Sequence, residues 1–333
     1  MMKMTILIVE GHSKVCRKSG NIAVVSKDGS ECEEVAVPDL ELVVLLGERI
    51  SISSSALLTL LSYGVPVVVV SGRSDVYGVL LDIVQVGSAN VREVQYKRFN
   101  DEYYRLKYAK PVIISRLKGL YNVLRYELKY HREAVDEDFY QHVRTEILSA
   151  IEEVEECKNV DEIRRLEAQG SRAFWKVVTK LIPEKYEFTG RDPQKVDPIN
   201  LAINFTYAVL YGIVTKGIVV NGLDPFYGLL HTSKPGRTSL TYDLSEIFKP
   251  IAVHTVIQAS RKVNITTFRG SRLLRPRTIE ALIARLYNKL SEESEALYKR
   301  RSIWQLPLRE VNKFKEAVLK GLNYEPYTYN PSS

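Results

Sequence analysis

Val65-Pro66-Val67-Val68-Val69-Val70-Ser71, then Tyr77-Gly78-Val79-Leu80-Leu81-Asp82-Ile83-Val84-Gln85-Val86, then Gly87-Ser88-Ala89-Asn90: across these residues the pattern of the chain changes. Up to Val86 the apolar residues are β-branched, come in short runs and are bounded by Gly, Ser, Asp and Pro, which predicts strands. From Gln95 onward they recur at three- and four-residue intervals, the helical period. The change of period predicts a hinge at 87–90 and two parts, a β-rich domain over 1–88 and a larger α-helical domain over 89–333. The fold class is therefore α+β. Val67–Val70 has no polar alternation at all, so it is predicted to be buried on both faces.

Outward from that junction, strands are expected at 5–9, 21–26, 33–37, 42–46, 65–71 and 77–86. One helix over 56–63 interrupts them, capped by Ser53-Ser54-Ser55 and closed by Gly64. In the second part helices are expected at 95–108, 111–131, 136–157, 160–181, 199–219, 240–260, 276–293 and 305–321. The polar, Pro-containing stretch 183–198 is the longest expected loop there, and the tail 324–333 is expected to fray.

A chain of 333 residues is long enough to bury a core in each part. No apolar run is read as reaching the length of a membrane span. The opening Met1-Met2-Lys3-Met4-Thr5-Ile6-Leu7-Ile8-Val9 runs straight into Glu10-Gly11-His12, so it reads as a strand rather than a leader, and a cytoplasmic location is expected. Cys16, Cys32 and Cys157 form no C-x-x-C pair and are odd in number, against a disulfide framework or zinc knuckle. Net charge is +7, divided as −3 over residues 1–90 and +10 over the rest. A polyanion would therefore bind the second part, although helices laced with paired charges would give the same balance.

The densest chemistry lies between Gly222-Leu223-Asp224-Pro225 and Asp243-Leu244-Ser245-Glu246. His231 ends the apolar run Phe226-Tyr227-Gly228-Leu229-Leu230, Lys234-Pro235-Gly236-Arg237 reads as a turn, and Asp243 and Glu246 stand three apart in an expected first helical turn. An imidazole facing two carboxylates suits a divalent ion that prefers oxygen and tolerates one nitrogen. A structural histidine and two solvent-facing acids at a helix N-terminus are the plainer alternatives. A third acid, Glu167, lies in Arg164-Arg165-Leu166-Glu167-Ala168-Gln169-Gly170-Ser171-Arg172-Ala173-Phe174-Trp175. Gly170 inside that helix costs about 1 kcal/mol relative to Ala, so a close approach of another group or a kink is expected there.

These motifs resemble, in order and spacing, those of the CRISPR-associated integrase and endonuclease family of spacer acquisition (Cas-one). Glu167–Trp175 is similar to the family's glutamate motif, Gly222–His231 to its histidine motif, and Ser239–Pro250 to its acidic motif. Asn204–Tyr211 fits the helix between them, and Ala109–Ile113 with Lys118 and Tyr324-Glu325-Pro326 extend the likeness over nearly the whole chain. The resemblance implies that Glu167, His231 and Glu246 hold Mg²⁺ or Mn²⁺, with Asp243 either touching the ion or standing behind a ligand. Lys249, where many relatives have arginine, and His254, where they have an acid, are departures that remove no ligand. Arg172, Lys234, Arg237, Lys249 and Arg261 are the candidate phosphate contacts. The implied reaction is attack of a DNA 3′-hydroxyl on a phosphodiester at the edge of a CRISPR repeat. The implied partners are that DNA, a second copy paired through the β-rich domain, and the small companion adaptation protein (Cas-two). Val67–Val70 or Val79–Val86 would offer apolar faces for that pairing. A structure-selective nuclease of branched DNA and a non-catalytic DNA-binding scaffold are the competing readings.

Overall fold

The computed structural model describes residues 5–26, 28–47, 49–70, 76–80, 89–231, 237–268, 273–299 and 302–331. The first part contains β1 (Thr5–Glu10), β2 (Ser13–Lys18), β3 (Asn21–Ser26), β4 (Glu31–Val35), β5 (Leu40–Leu46), β6 (Ser51–Ile52), α1 (Ser54–Ser62), β7 (Val67–Val70) and β8 (Val76–Leu80). They build two four-stranded sheets, ordered β1-β5-β7-β8 and β4-β3-β2-β6. In the first, β1, β5 and β7 run parallel and β8 antiparallel. Side chains alternate across it. Val43, Leu45 and Val67 join Leu7, Val15 and Leu60 in a small core between the sheets and α1, whereas Leu42, Val44, Val68 and Val70 enter the core of the helices. Of the run expected to be buried on both faces, Val67, Val68 and Val70 are buried and Val69 is half-buried against the small core, which leaves little of it as a face for another copy. Of the hinge expected at 87–90, Ala89 and Asn90 instead begin a helix; its other two residues and the end of the strand expected to reach Val86 lie in 81–88, outside the described residues.

The helical part consists of α2 (Ala89–Asn100), α3 (Glu102–Tyr130), α4 (Glu137–Glu156), α5 (Val160–Leu181), α6 (Pro198–Val220), α7 (Ser239–Ser245), α8 (Lys249–Lys262), α9 (Pro276–Tyr298) and α10 (Gln305–Lys320). Side chains of Asp101, Asp136, Asn159 and Asp197 cap the starts of α3, α4, α5 and α6. At the centre runs α6. By length and a hydropathy of 1.5 it does reach what a membrane span requires, yet 67% of that window is buried inside the chain, as in a core helix.

Four local expectations are corrected. β2 is a polar strand with only Val15 buried, so alternation could not reveal it; pairing with β3 holds it in place. Pro111 does not divide two helices but sits inside α3. One backbone hydrogen bond is lost there, and the neighbours Ala109, Val112 and Ile113, all buried, hold the helix together. The helix expected at 240–260 is broken into α7 and α8, because Pro250 can start a helix but not continue one. The tail does not fray as far as Asn330. Tyr324 and Tyr329 are buried, Ser115 Oγ bonds Tyr327 O, and Asn122 Nδ2 donates to Tyr329 O at 2.9 Å.

The sheet and the helices approach closely at Gly212. A Cβ on Gly212 of α6 would lie 2.7 Å from Val68 Cγ2. Gly212→Val is therefore expected to lower unfolding free energy by about 1–3 kcal/mol in urea titrations. Val68→Ala in the same chain should return part of that loss; additive effects would show that the two sites do not press on each other.

Candidate active site

The loop from α6 to α7 is fastened from three helices before it reaches His231. Gln95 Nε2 on α2 donates to the carbonyls of Asp224 and Tyr227, both at 3.0 Å, while its Oε1 accepts from Asp224 N at 2.8 Å. Arg105 Nε on α3 donates to Leu229 O at 2.6 Å, and Arg164 on α5 donates to Leu230 O.

Asp243, fully buried on α7, closes the arrangement from the other side. Its Oδ2 accepts from the backbone N–H of Leu229 (2.5 Å) and Leu230 (3.0 Å). Its Oδ1 accepts from His231 N at 3.2 Å and meets His231 Nδ1 at 2.5 Å. Close approach requires glycine at 228, where a Cβ would stand 2.5 Å from Asp243 Oδ2 and 2.8 Å from Ser239 Cβ. Both carboxylate oxygens of Asp243 are thus spent on the loop. It positions the imidazole, fixing Nδ1 as donor and leaving Nε2 as the ring nitrogen able to ligate. In this arrangement Asp243 stands behind the imidazole, with both its oxygens turned to the loop.

Glu246 occupies the turn that Pro250 imposes between α7 and α8, and is 4% exposed. Arg116 of α3 bridges it to Glu167 of α5: the same Nη1 pairs with Glu246 Oε2 and, at 2.9 Å, with Glu167 Oε1. Ser171, one turn beyond Glu167, donates to Glu167 Oε1 at 2.7 Å and accepts from Arg116 Nη2 at 3.0 Å. Lys249 Nζ donates to Glu246 Oε1 at 2.6 Å. Burial by itself would raise the Glu246 pKa, but Arg116 and Lys249, with His231 nearby, hold the carboxyl below its ordinary value. Around the charges stand tyrosines. Lys249 Nζ is 5.2 Å from the Tyr207 ring and 5.7 Å from that of Tyr211, Tyr211 meets Tyr242 edge-on at 4.7 Å, and Tyr242 lies 6.0 Å from His231. Burial, then Glu246 and Tyr242, push the Tyr211 pKa up, so it stays a neutral phenol.

Of the residues singled out in the sequence, Glu167, His231, Asp243, Glu246 and Lys249 come together here. Arg237 borders the group, its guanidinium 5.1 Å from the Tyr242 ring. Lys234 lies outside the described residues. Arg172 is exposed on α5, five residues or about 140° round the helix from Glu167. Arg261 is twelve residues along α8 from Lys249, about 18 Å at helical rise, and is paired with buried Glu127. His254 belongs with that second cluster, 3.0 Å from Glu127 and 2.7 Å from Tyr329 Oη. Gly170 serves packing: a Cβ there would meet Leu117 of α3 at 2.7 Å. The residue missed was Arg116. Its signal was an arginine in the apolar run Val112-Ile113-Ile114-Ser115-Arg116-Leu117, where a charge must find partners.

A family model described as CRISPR associated protein Cas1 matches residues 7–286. The chain belongs to the Cas1 family. A relative from Hyperthermus butylicus, named a CRISPR-associated endonuclease Cas1, is 31% identical over 81% of this chain and 82% of its own length. Among solved structures, a casposase bound to integration product superposes with a TM-score of 0.84 at 20% identity, covering 98% of this chain and 94% of that one. A chain of a Cas6-RT-Cas1–Cas2 complex superposes at 0.78 and 16% identity, covering 99% of this chain and 36% of that one. The β-rich part followed by a mainly helical part is thus the Cas1 fold, and the acids bridged by Arg116 lie on its α5 and in its α7–α8 turn.

Proposed function

We propose that this Cas1-family chain is a metal-dependent DNA integrase and endonuclease of CRISPR adaptation, acting in the cytoplasm. It would join a DNA fragment to the edge of a CRISPR repeat by 3′-hydroxyl attack on a phosphodiester. The observation that carries the reading is the meeting of Glu167 and Glu246 on one guanidinium, beside an imidazole locked by a buried carboxylate. The endonuclease name of the Hyperthermus butylicus relative and the integration product held by the casposase support it. The Cas6-RT-Cas1–Cas2 complex supports a Cas2 partner. Pairing of two copies through the β-rich part completes the proposal.

By donor chemistry the site fits Mg²⁺ or Mn²⁺: two carboxylates and one imidazole. Glu167, Glu246 and His231 would hold the ion. Among the described residues no three such side chains are already grouped as a cation cage, and Arg116 stands between the two acids. When bound, a divalent ion polarises a phosphoryl oxygen and lowers the pKa of the attacking hydroxyl. The chain's own residues supply the rest. Arg116 and Lys249 keep Glu246 ionised, Asp243 presents the imidazole in one tautomer, and Lys249 and Arg237 place positive charge where a pentacoordinate phosphorus would build negative charge. Attack by a 3′-hydroxyl joins strands; attack by water cuts them.

The test is strand transfer with Mn²⁺, a fragment bearing a free 3′-hydroxyl and a supercoiled repeat plasmid, with and without the companion protein. A joined product that disappears in His231→Ala and in Glu167→Ala is expected. Cutting without joining would replace the reading by a nuclease of branched DNA. DNA binding indifferent to metal and to Glu167 would replace it by a scaffold.

A further inference from the structure

A second polar assembly lies at the far ends of α3 and α8. Glu127, 2% exposed, is paired with Arg261 and His254. Over it opens a cavity of about 280 Å³ that Glu127 itself lines, together with Tyr126, Tyr130, His131, Gln258, Arg261 and Lys262. The two tyrosine rings stand 5.2 Å apart at 59°, and Tyr130 is 57% exposed. Arg261 keeps its buried Nη1 without a hydrogen-bond partner. On the other side of the same helix end, Arg125, Lys129, Arg132 and Tyr140 line a shallow cleft of about 390 Å³. The acids nearby are Glu133, facing His131 at 3.9 Å, and Glu137, facing Arg132 at 3.5 Å. Arg125, Lys129 and Lys262 remain exposed beyond them.

We infer that the cavity between α3 and α8 binds one unpaired nucleotide of a DNA strand, its base against Tyr130 and Tyr126 and its phosphate on Arg261 and Lys262. The inference rests on the DNA-joining reading above and adds to it a site for single-stranded DNA. An exposed ring beside a half-buried one, with cations about them, suits an unpaired strand: every base has a face to stack, and every link a charge to neutralise. A compact anion alone would use the cations and leave the rings idle. The cavity is remote from the candidate active site, since Tyr130 is fourteen residues along α3 from Arg116, about 21 Å. A strand of roughly six nucleotides covers that distance even at the 3.4 Å rise of a duplex strand.

Fluorescence anisotropy with a labelled single-stranded oligothymidine tests this, using Tyr130→Ala, Tyr130→Phe and Lys262→Ala. Tyr130→Ala is expected to weaken binding about tenfold and Tyr130→Phe to keep it, as stacking requires. Lys262→Ala should lower the slope of log affinity against log salt by about 0.7, the contribution of one phosphate contact on a single strand. Both side chains are exposed, so circular dichroism and melting should match the wild type. If Tyr130→Ala and Lys262→Ala bind with wild-type affinity and salt slope while the wild type joins DNA, this inference is overturned and the integrase reading stands. If the wild type binds no DNA, both are overturned.

Discussion

Glu246→Gln is expected to remove strand transfer and cleavage by at least about a thousandfold, equivalent to roughly 4 kcal/mol of transition-state stabilisation. The side chain would keep its shape but not its charge, and a hard divalent ion needs the charge. The same variant separates the structural role of the group from its chemical one. Arg116 and Lys249 both pair with Glu246 in a buried setting. Glu246→Ala, which leaves them facing a void, should cost about 3–5 kcal/mol of stability; the glutamine, still an acceptor, should cost less. The pH dependence has a definite sign. Burial opposes ionisation of Glu246, but Arg116 and Lys249 outweigh it and hold its folded pKa below 4.5. The stability it contributes is fully present above the ordinary carboxylate value and is lost as pH falls through the depressed folded value. Melting curves of wild type and Glu246→Gln should therefore keep a constant gap near neutrality and converge in acid. Wild-type rates in the glutamine variant would sink the assignment of Glu246.

Asp243→Ala is expected to be the most damaging substitution for stability. It strands three backbone N–H groups, those of Leu229, Leu230 and His231, and the Nδ1–H of the imidazole. At about 1–3 kcal/mol for each buried donor left unsatisfied, the loss is on the order of 4 kcal/mol or more, a large part of the ~5–15 kcal/mol that holds a domain folded. Asp243→Asn is the finer probe. One oxygen can still accept, but the amide nitrogen cannot, so the imidazole loses its fixed tautomer. Activity should fall about 10–100-fold, the usual effect of removing a group that orients a ligand, with a much smaller drop in melting temperature. Full activity in Asp243→Asn would mean that His231 needs no orienting partner.

The break in hydrophobic period near residues 87–95 made the two-part architecture legible, and the unbroken Val67–Val70 run announced the burial of Val67, Val68 and Val70. β2 was illegible because Ser13-Lys14-Val15-Cys16-Arg17-Lys18 is held by its neighbour rather than by its own pattern. Pro111 misled because proline weakens a helix locally, while the burial of α3 is a property of the whole bundle. Pro250 had the opposite effect: it really does break a helix, and the break sets Glu246 in the turn. Order and spacing pointed to Glu167, His231 and Glu246. The part played by Asp243 could not be read, since its partners are backbone groups twelve to fourteen residues away. Arg172 and Arg261, candidate phosphate contacts by sequence, stand apart from the acids. Helical phase turns the first away from Glu167, and the length of α8 carries the second to another assembly.

The sheet that gives one face to the helical core has a consequence for how the molecule comes apart. Leu42, Val44, Val68 and Val70 are as much a floor for α6 as they are a sheet. Trp304 Nε1, at the start of α10, donates to Glu41 O on β5 at 2.9 Å, and Lys216 Nζ on α6 donates to Gly64 O at 2.8 Å. Lifting the strands away would bare the apolar underside of the helices and break these ties at once. The β1-β5-β7-β8 sheet is therefore expected to open together with the helices it floors, and the amides of β5 and β7 to exchange with solvent only when those helices open too.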